Sequence, residues 1–124
     1  MVLWFQKPDQ PEPPDLDHAY LARLAGHIGE VETRELLADG MLDLSDRLDR
    51  LSELAIAGDA GRLAELVHDI AGAAGHLGLS RLSRAAVDAY RLLQDNPPPL
   101  SEAIGPLEAC REEALAALGA FCNP

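Results

Sequence analysis

His68 is the residue in this chain whose neighbours suggest chemistry rather than packing. On a helix turning about 100° per residue, its face carries Ala64, Glu65, Ala71, Gly72 and Gly75, with Gly61 further down the same side. A solvated helix face normally bears long charged side chains, which favour both helix and solubility. Here the face is reduced to small residues, and each glycine costs about 1 kcal/mol of helix propensity relative to alanine. An incidental run of small neighbours would be the plainer reading of an isolated histidine, but the paired glycines weigh against it. They suit the close approach of a flat surface to the imidazole. Histidine is largely neutral near pH 7, so a ring nitrogen lone pair is free to attack phosphorus. Phosphoryl transfer needs nucleophile, phosphorus and leaving oxygen in line, and bulk at positions 71, 72 or 75 would obstruct a protein delivering that arrangement. The sequence has no nucleotide-binding loop and no magnesium-type acidic cluster beside a lysine. No cofactor is therefore expected, and energy and metal are expected from a partner.

The other candidate ligands and nucleophiles are poorly placed. His76 lies eight residues after His68, about 12 Å along a helix axis, too far for a shared metal ion. It reads as a rim histidine, and His18 and His27 as solvated residues of a short first helix. Cys110 and Cys122 are twelve residues apart in one expected helix, about 18 Å along its axis, and read as free thiols in a reducing compartment. No metal site is expected.

The elements that would position His68 are all helical. Leu and Ala dominate while aromatics make up 4%, a balance that favours helices over sheets. Leu16, Tyr20, Leu24 and Ile28 recur every four residues and predict a short first helix ending near Gly29. Leu37, Met41, Leu44, Leu48, Leu51 and Ala55 alternate steps of four and three, predicting one long helix over 31–57, with a bend or a packing reason at Gly40. Gly58 should stop it and Asp59 cap the next helix, over 60–77, which buries Leu63, Leu66, Val67, Ile70, Ala74 and Leu77. A helix over 80–94, with Ser80 as its cap, buries Leu82, Ala86, Ala89 and Leu93. After the rigid Asn96-Pro97-Pro98-Pro99 turn a last helix spans 100–121, with a break or kink at Gly105-Pro106. Short connections make sequential helices antiparallel. The fold class is all-α, an antiparallel four-helix bundle with an additional short N-terminal helix.

The 124 residues suit one such unit, expected over 15–124, preceded by a proline-rich segment over 1–14. Within it, residues 6–14 carry four prolines in nine positions and cannot form a continuous helix, while Leu3 to Phe5 could either dock on the bundle or hang free. Ten Lys and Arg against 21 Asp and Glu give a net charge of -11, which repels phosphate backbones and anionic lipid surfaces. Neither nucleic acid nor membrane is expected as a partner. No apolar stretch reaches the length of about 20 residues that a membrane span needs, and Met1-Val2-Leu3-Trp4-Phe5 is too short for a signal-peptide core, so the expected location is cytoplasmic.

The segment His68-Asp69-Ile70-Ala71-Gly72-Ala73-Ala74-Gly75-His76-Leu77-Gly78-Leu79, followed by Leu82, resembles the signature of the histidine-containing phosphotransfer (HPt) family: a His, a Gly four residues later, a second Gly ten after the His and a Leu at the fourteenth. With the order of helices, the resemblance covers residues 16–121. It implies that His68 is the phosphoacceptor of a two-component phosphorelay and that Gly72 clears space for the phosphoryl group. It also implies that the partners are receiver domains of response regulators, supplying magnesium and an aspartate, together with a hybrid sensor kinase. Ala64, Glu65, Ala71 and Gly75 would then form the docking face. Two departures stand out. The family usually has Lys where this sequence has Ala71, and often Glu or Gln where it has Tyr90, whose phenol could orient the imidazole instead.

Two rival readings remain. His68-Asp69-Ile70 also resembles the start of the phosphoacceptor box of sensor kinases, whose helices form dimeric bundles and continue with a proline that this chain lacks. A docking module of the same shape that passes no phosphate is the other. Neither reading gives the chain autonomous kinase activity. Size-exclusion chromatography separates the first pair: the phosphotransfer reading expects a monomer, and elution as a dimer would favour the kinase-type bundle.

Overall fold

The computed structural model describes residues 13–123. The expected segment over 1–14 therefore falls almost wholly outside the described residues. Six helical segments follow one another: α1 (His18–Ile28), α2 (Glu30–Asp49), α3 (Leu51–Ala57), α4 (Ala60–His76), α5 (Ser80–Gln94) and α6 (Leu100–Cys122). Helix α4 packs on α5, α5 on α6, α6 on α2 and α2 on α4, closing a four-membered ring with α1 added at the side. The core of that ring is built mostly from leucine and alanine.

The local signals that delimit α4 act as the sequence implies. Gly58 adopts the left-handed conformation that ends α3, and the Asp59 carboxylate accepts from the Arg62 amide at 3.1 Å, satisfying one orphan N–H of the new helix. Every residue expected to be buried on α4 and α5 is buried. Helix α5 differs in its start. Leu79 occupies the cap position, Ser80 is the first helical residue, and no side chain caps the amides. The serine that does bond backbone is Ser83, whose hydroxyl donates to the Ala71 carbonyl at 2.8 Å and couples α5 to α4.

Three further expectations are corrected. Leu16 precedes α1 instead of lying within it, so the stripe it seemed to begin is out of register: Leu21 is the buried residue of α1, and Ile28 is 41% exposed. The single helix over 31–57 is two, parted at Arg50, which has a ψ of -10° and whose amide donates to the carbonyl three residues back. The offset sets α3 against both α4 and α6. Gly40, by contrast, has the expected packing reason, because a Cβ there would lie 2.5 Å from a methyl of buried Leu77. Helix α6 runs unbroken through Pro106; the carbonyl deprived of a partner belongs to exposed Glu102, where water can satisfy it.

The end of α4 ties the side helix to the ring. Gly78 turns the chain at φ 76°, its carbonyl accepts from the Asp17 amide at 2.7 Å, and the Tyr20 hydroxyl donates to the His76 carbonyl at 2.9 Å. On the next helix Arg81 holds the chain leading into α1. Its amide donates to the Pro14 carbonyl at 3.2 Å, its Nε to that of Pro13 at 3.4 Å, and its guanidinium lies 3.3 Å from Asp15. A side chain at position 78 would be strained at that φ and would press on Leu21 at 3.2 Å. Gly78→Ala is accordingly expected to cost about 1–2 kcal/mol, read as a lower midpoint in thermal unfolding. A midpoint equal to or above wild type would mean that the turn is not held as described.

Candidate functional site

His68 sits in the middle of α4 and is exposed, while Val67 and Ile70 on either side of it are fully buried. The helix therefore anchors itself through one face and presents the imidazole on the other. The small residues around it divide between two directions. Ala64 and Ala71 are half-buried, packed against the core. Gly75 is exposed but faces α5, where a Cβ would make ordinary contact with the Ser83 hydroxyl at 3.5 Å. Glu65 and Gly72 are exposed. Of the expected docking residues, Glu65 and Gly75 are thus on the surface, whereas Ala64 and Ala71 are half-buried.

Tyr90 reaches His68 from α5. The ring centroids are 5.2 Å apart and tilted by 47°, an edge-and-face contact between aromatic rings. No hydrogen bond joins the phenol to the imidazole among the described residues; the contact is one of ring packing.

An open groove of about 850 Å³ runs beside this crest, between α4, α2 and α1. One wall carries His68, Asp69, Gly72 and His76; the other carries Leu36, Asp39, Asp43 and Arg47 of α2. Three carboxylates thus face one guanidinium, and that guanidinium is paired with Asp43 at 3.3 Å. On the opposite flank a smaller hollow is lined by Gly75, Ser83, Arg84, Val87, Asp88 and Arg91, and Val87 is an exposed apolar residue there. The α2 wall was not found from sequence, although Gly40 held a clue. Where a glycine lets two helices touch, residues four before, three after and seven after it flank the contact, and here these are Leu36, Asp43 and Arg47.

The groove is open at its centre. A Cβ built at Gly72 would meet nothing within 4 Å, in contrast to the tight fit at Gly40. A family model described as Hpt domain matches residues 35–120, which include this crest, α4 and α5 entire and most of α2 and α6. The chain belongs to the Hpt domain family. Members of that family carry out histidine phosphotransfer in phosphorelays, working with receiver domains and kinases. None of the curated proteins or solved structures compared with the chain matches it.

Other chemistries find little support in the residues described. Among the described residues no three His, Cys, Asp or Glu side chains converge as metal ligands. Burial raises the thiols of Cys110 and Cys122 above their ordinary range, which keeps both protonated at neutral pH and poorly nucleophilic. Among the same residues no helix is long and apolar enough to cross a membrane.

Because nothing inside the protein occupies the space over Gly72, filling it should not disturb the fold. Gly72→Ala and Gly72→Leu are both expected to fold normally, the alanine variant being about 0.5–1 kcal/mol more stable than wild type. Thermal unfolding monitored by circular dichroism measures this. A destabilised alanine variant would show that an internal contact, not an outside one, requires the glycine.

Proposed function

We propose that this Hpt domain is a phosphorelay intermediate in which His68 accepts a phosphoryl group from a receiver-domain aspartate and passes it to another. The observation that carries the reading is the exposed imidazole beside a helical glycine that no internal contact requires. A glycine in mid-helix weakens the fold, so its presence points to a surface that comes from outside.

In the transfer, a neutral His68 ring nitrogen attacks phosphorus in line with the aspartyl oxygen. The N–P bond forms as the P–O bond breaks, and the carboxylate leaves with the electron pair. Magnesium and the aspartate belong to the receiver. This chain supplies the nucleophile, the clearance at Gly72, and the packing of Tyr90 that limits the swing of the ring. The flat docking face comprises Glu65 and Gly75 with the small Ala64 and Ala71, and Val87 adds apolar contact on the α5 side. A hybrid sensor kinase is a further partner, and the site of action is cytoplasmic. The chain closes its four-helix ring by itself, so the transfer does not require a dimer; this favours the monomeric carrier over the kinase-type bundle. The exposure of His68 likewise favours a carrier over a pure docking module.

Incubation with receiver domains phosphorylated by acetyl phosphate should place acid-labile phosphate on the protein. His68→Gln should abolish that label with little change in helical signal, since the imidazole is exposed. Gly72→Leu should fold yet label at least ten-fold more slowly, a barrier increase of about 1.4 kcal/mol. Labelling of His68→Gln at the wild-type level would move the acceptor to His76, His18 or His27 and refute the assignment.

A further inference from the structure

A phosphoryl group on His68 would add negative charge to a groove that already holds Asp39, Asp43 and Asp69. Helix α4 contributes no Lys or Arg to the lining of that groove. Among the described residues lining the groove, the one Lys or Arg is Arg47 on α2.

Its height along the bundle is right. Helices α2 and α4 are antiparallel neighbours that meet where Leu77 packs on Gly40. Arg47 lies seven residues beyond Gly40, and His68 nine residues before Leu77. The two are thus offset by two residues, about 3 Å along the axes, which an arginine side chain spans with ease. The side chain is 31% exposed, against 76% for solvated Arg62, so its stem already lies along the groove. Its only ion pair among the described residues is to Asp43, one turn earlier on the same helix, at 3.3 Å. An exposed pair at this spacing is weak and yields readily to a better acceptor.

We propose that Arg47 is the phosphoryl-binding cation of this protein, reaching the phosphoryl group from α2 across the groove. The proposal rests on His68 being the phosphoacceptor. As the N–P bond forms and the aspartate carboxylate departs, the three phosphoryl oxygens come to lie over Gly72. Arg47 then exchanges the Asp43 carboxylate for those oxygens, which its planar guanidinium can hold through two parallel N–H···O bonds. It neither gives nor takes a proton. The N–H on the second ring nitrogen stays there or is lost to solvent. Asp43 competes with the phosphoryl oxygens for the guanidinium.

The test is the equilibrium between phosphohistidine on the full chain and phosphoaspartate on a receiver domain charged with acetyl phosphate. Arg47→Gln should lower the phosphohistidine share on the order of five-fold, and Arg47→Lys by less, since it keeps charge but loses the fork. Asp43→Asn should raise the share, because the competing carboxylate is gone. The gap between wild type and Arg47→Gln should narrow as salt rises towards about 1 M. Opposite signs for the two neutralising variants exclude a purely structural pair, which would move both in one direction, and an Arg47→Lys variant equal to wild type would reduce the role of Arg47 to through-space charge and overturn the forked contact. A wild-type chain that labels normally, with Arg47→Gln unchanged or with both variants lowered alike, overturns this inference alone. A wild-type chain that takes up no phosphate overturns the proposed function, and this inference with it.

Discussion

The end of α4 is where three helices are pinned to one another, and the groove beside His68 exists because of it. Leu77 fills the notch left by Gly40 and so sets how closely α2 approaches α4. One residue later Gly78 reverses the chain in a conformation that only glycine adopts without strain, and its carbonyl receives the amide that introduces α1. A larger residue at 40 would push α2 outward, and a side chain at 78 would push α1 off. In either case the wall carrying Asp43 and Arg47 would shift relative to the imidazole.

Placed on that frame, the exposed crest of α4 works against its own stability. Gly61, Gly72 and Gly75 all lie on its solvent side, and each lowers the helix propensity that alanine would give. The opposite side compensates. Leu63, Val67, Ile70 and Ala74 are completely buried, and the first turn is capped by Asp59. Burial of apolar side chains contributes about 1.5–3 kcal/mol apiece for residues of this size, which outweighs three unfavourable glycines. The helix can therefore remain bare where a partner must come close.

Much of this could be read in the sequence because it depends on local signals. The bounds of α4 and α5 follow from Asp59, Gly78 and the proline-rich turn at 96–99, and the core residues of both follow from a 3.6-residue period. The crest was legible as well, since small residues on a solvated face conflict with the usual pattern. What escaped depends on contacts between distant parts of the chain. Nothing local marks Arg50 as a joint, because the apolar period continues across it; the offset arises from α3 packing on two helices together. The face of α1 was misread because the helix begins at His18, so Leu16 lies outside it. The α2 wall of the groove was missed because its members look like ordinary solvated residues until Leu77 is seen against Gly40. Tyr90 was matched to His68 correctly, but the kind of contact depends on ring orientation, which no spacing reveals.

Under the proposed function, one acceptor imidazole on one crest carries a kinetic consequence. In that reading a donor receiver and an acceptor receiver would share the same few residues around Gly72, and the two could not be seated together. The carrier would then operate by a ping-pong scheme, releasing the emptied donor before the next regulator binds. Throughput would fall when unphosphorylated receivers are abundant enough to occupy the crest unproductively, so the cellular ratio of regulators to carrier, as much as any rate constant of the transfer itself, would set how quickly a signal passes.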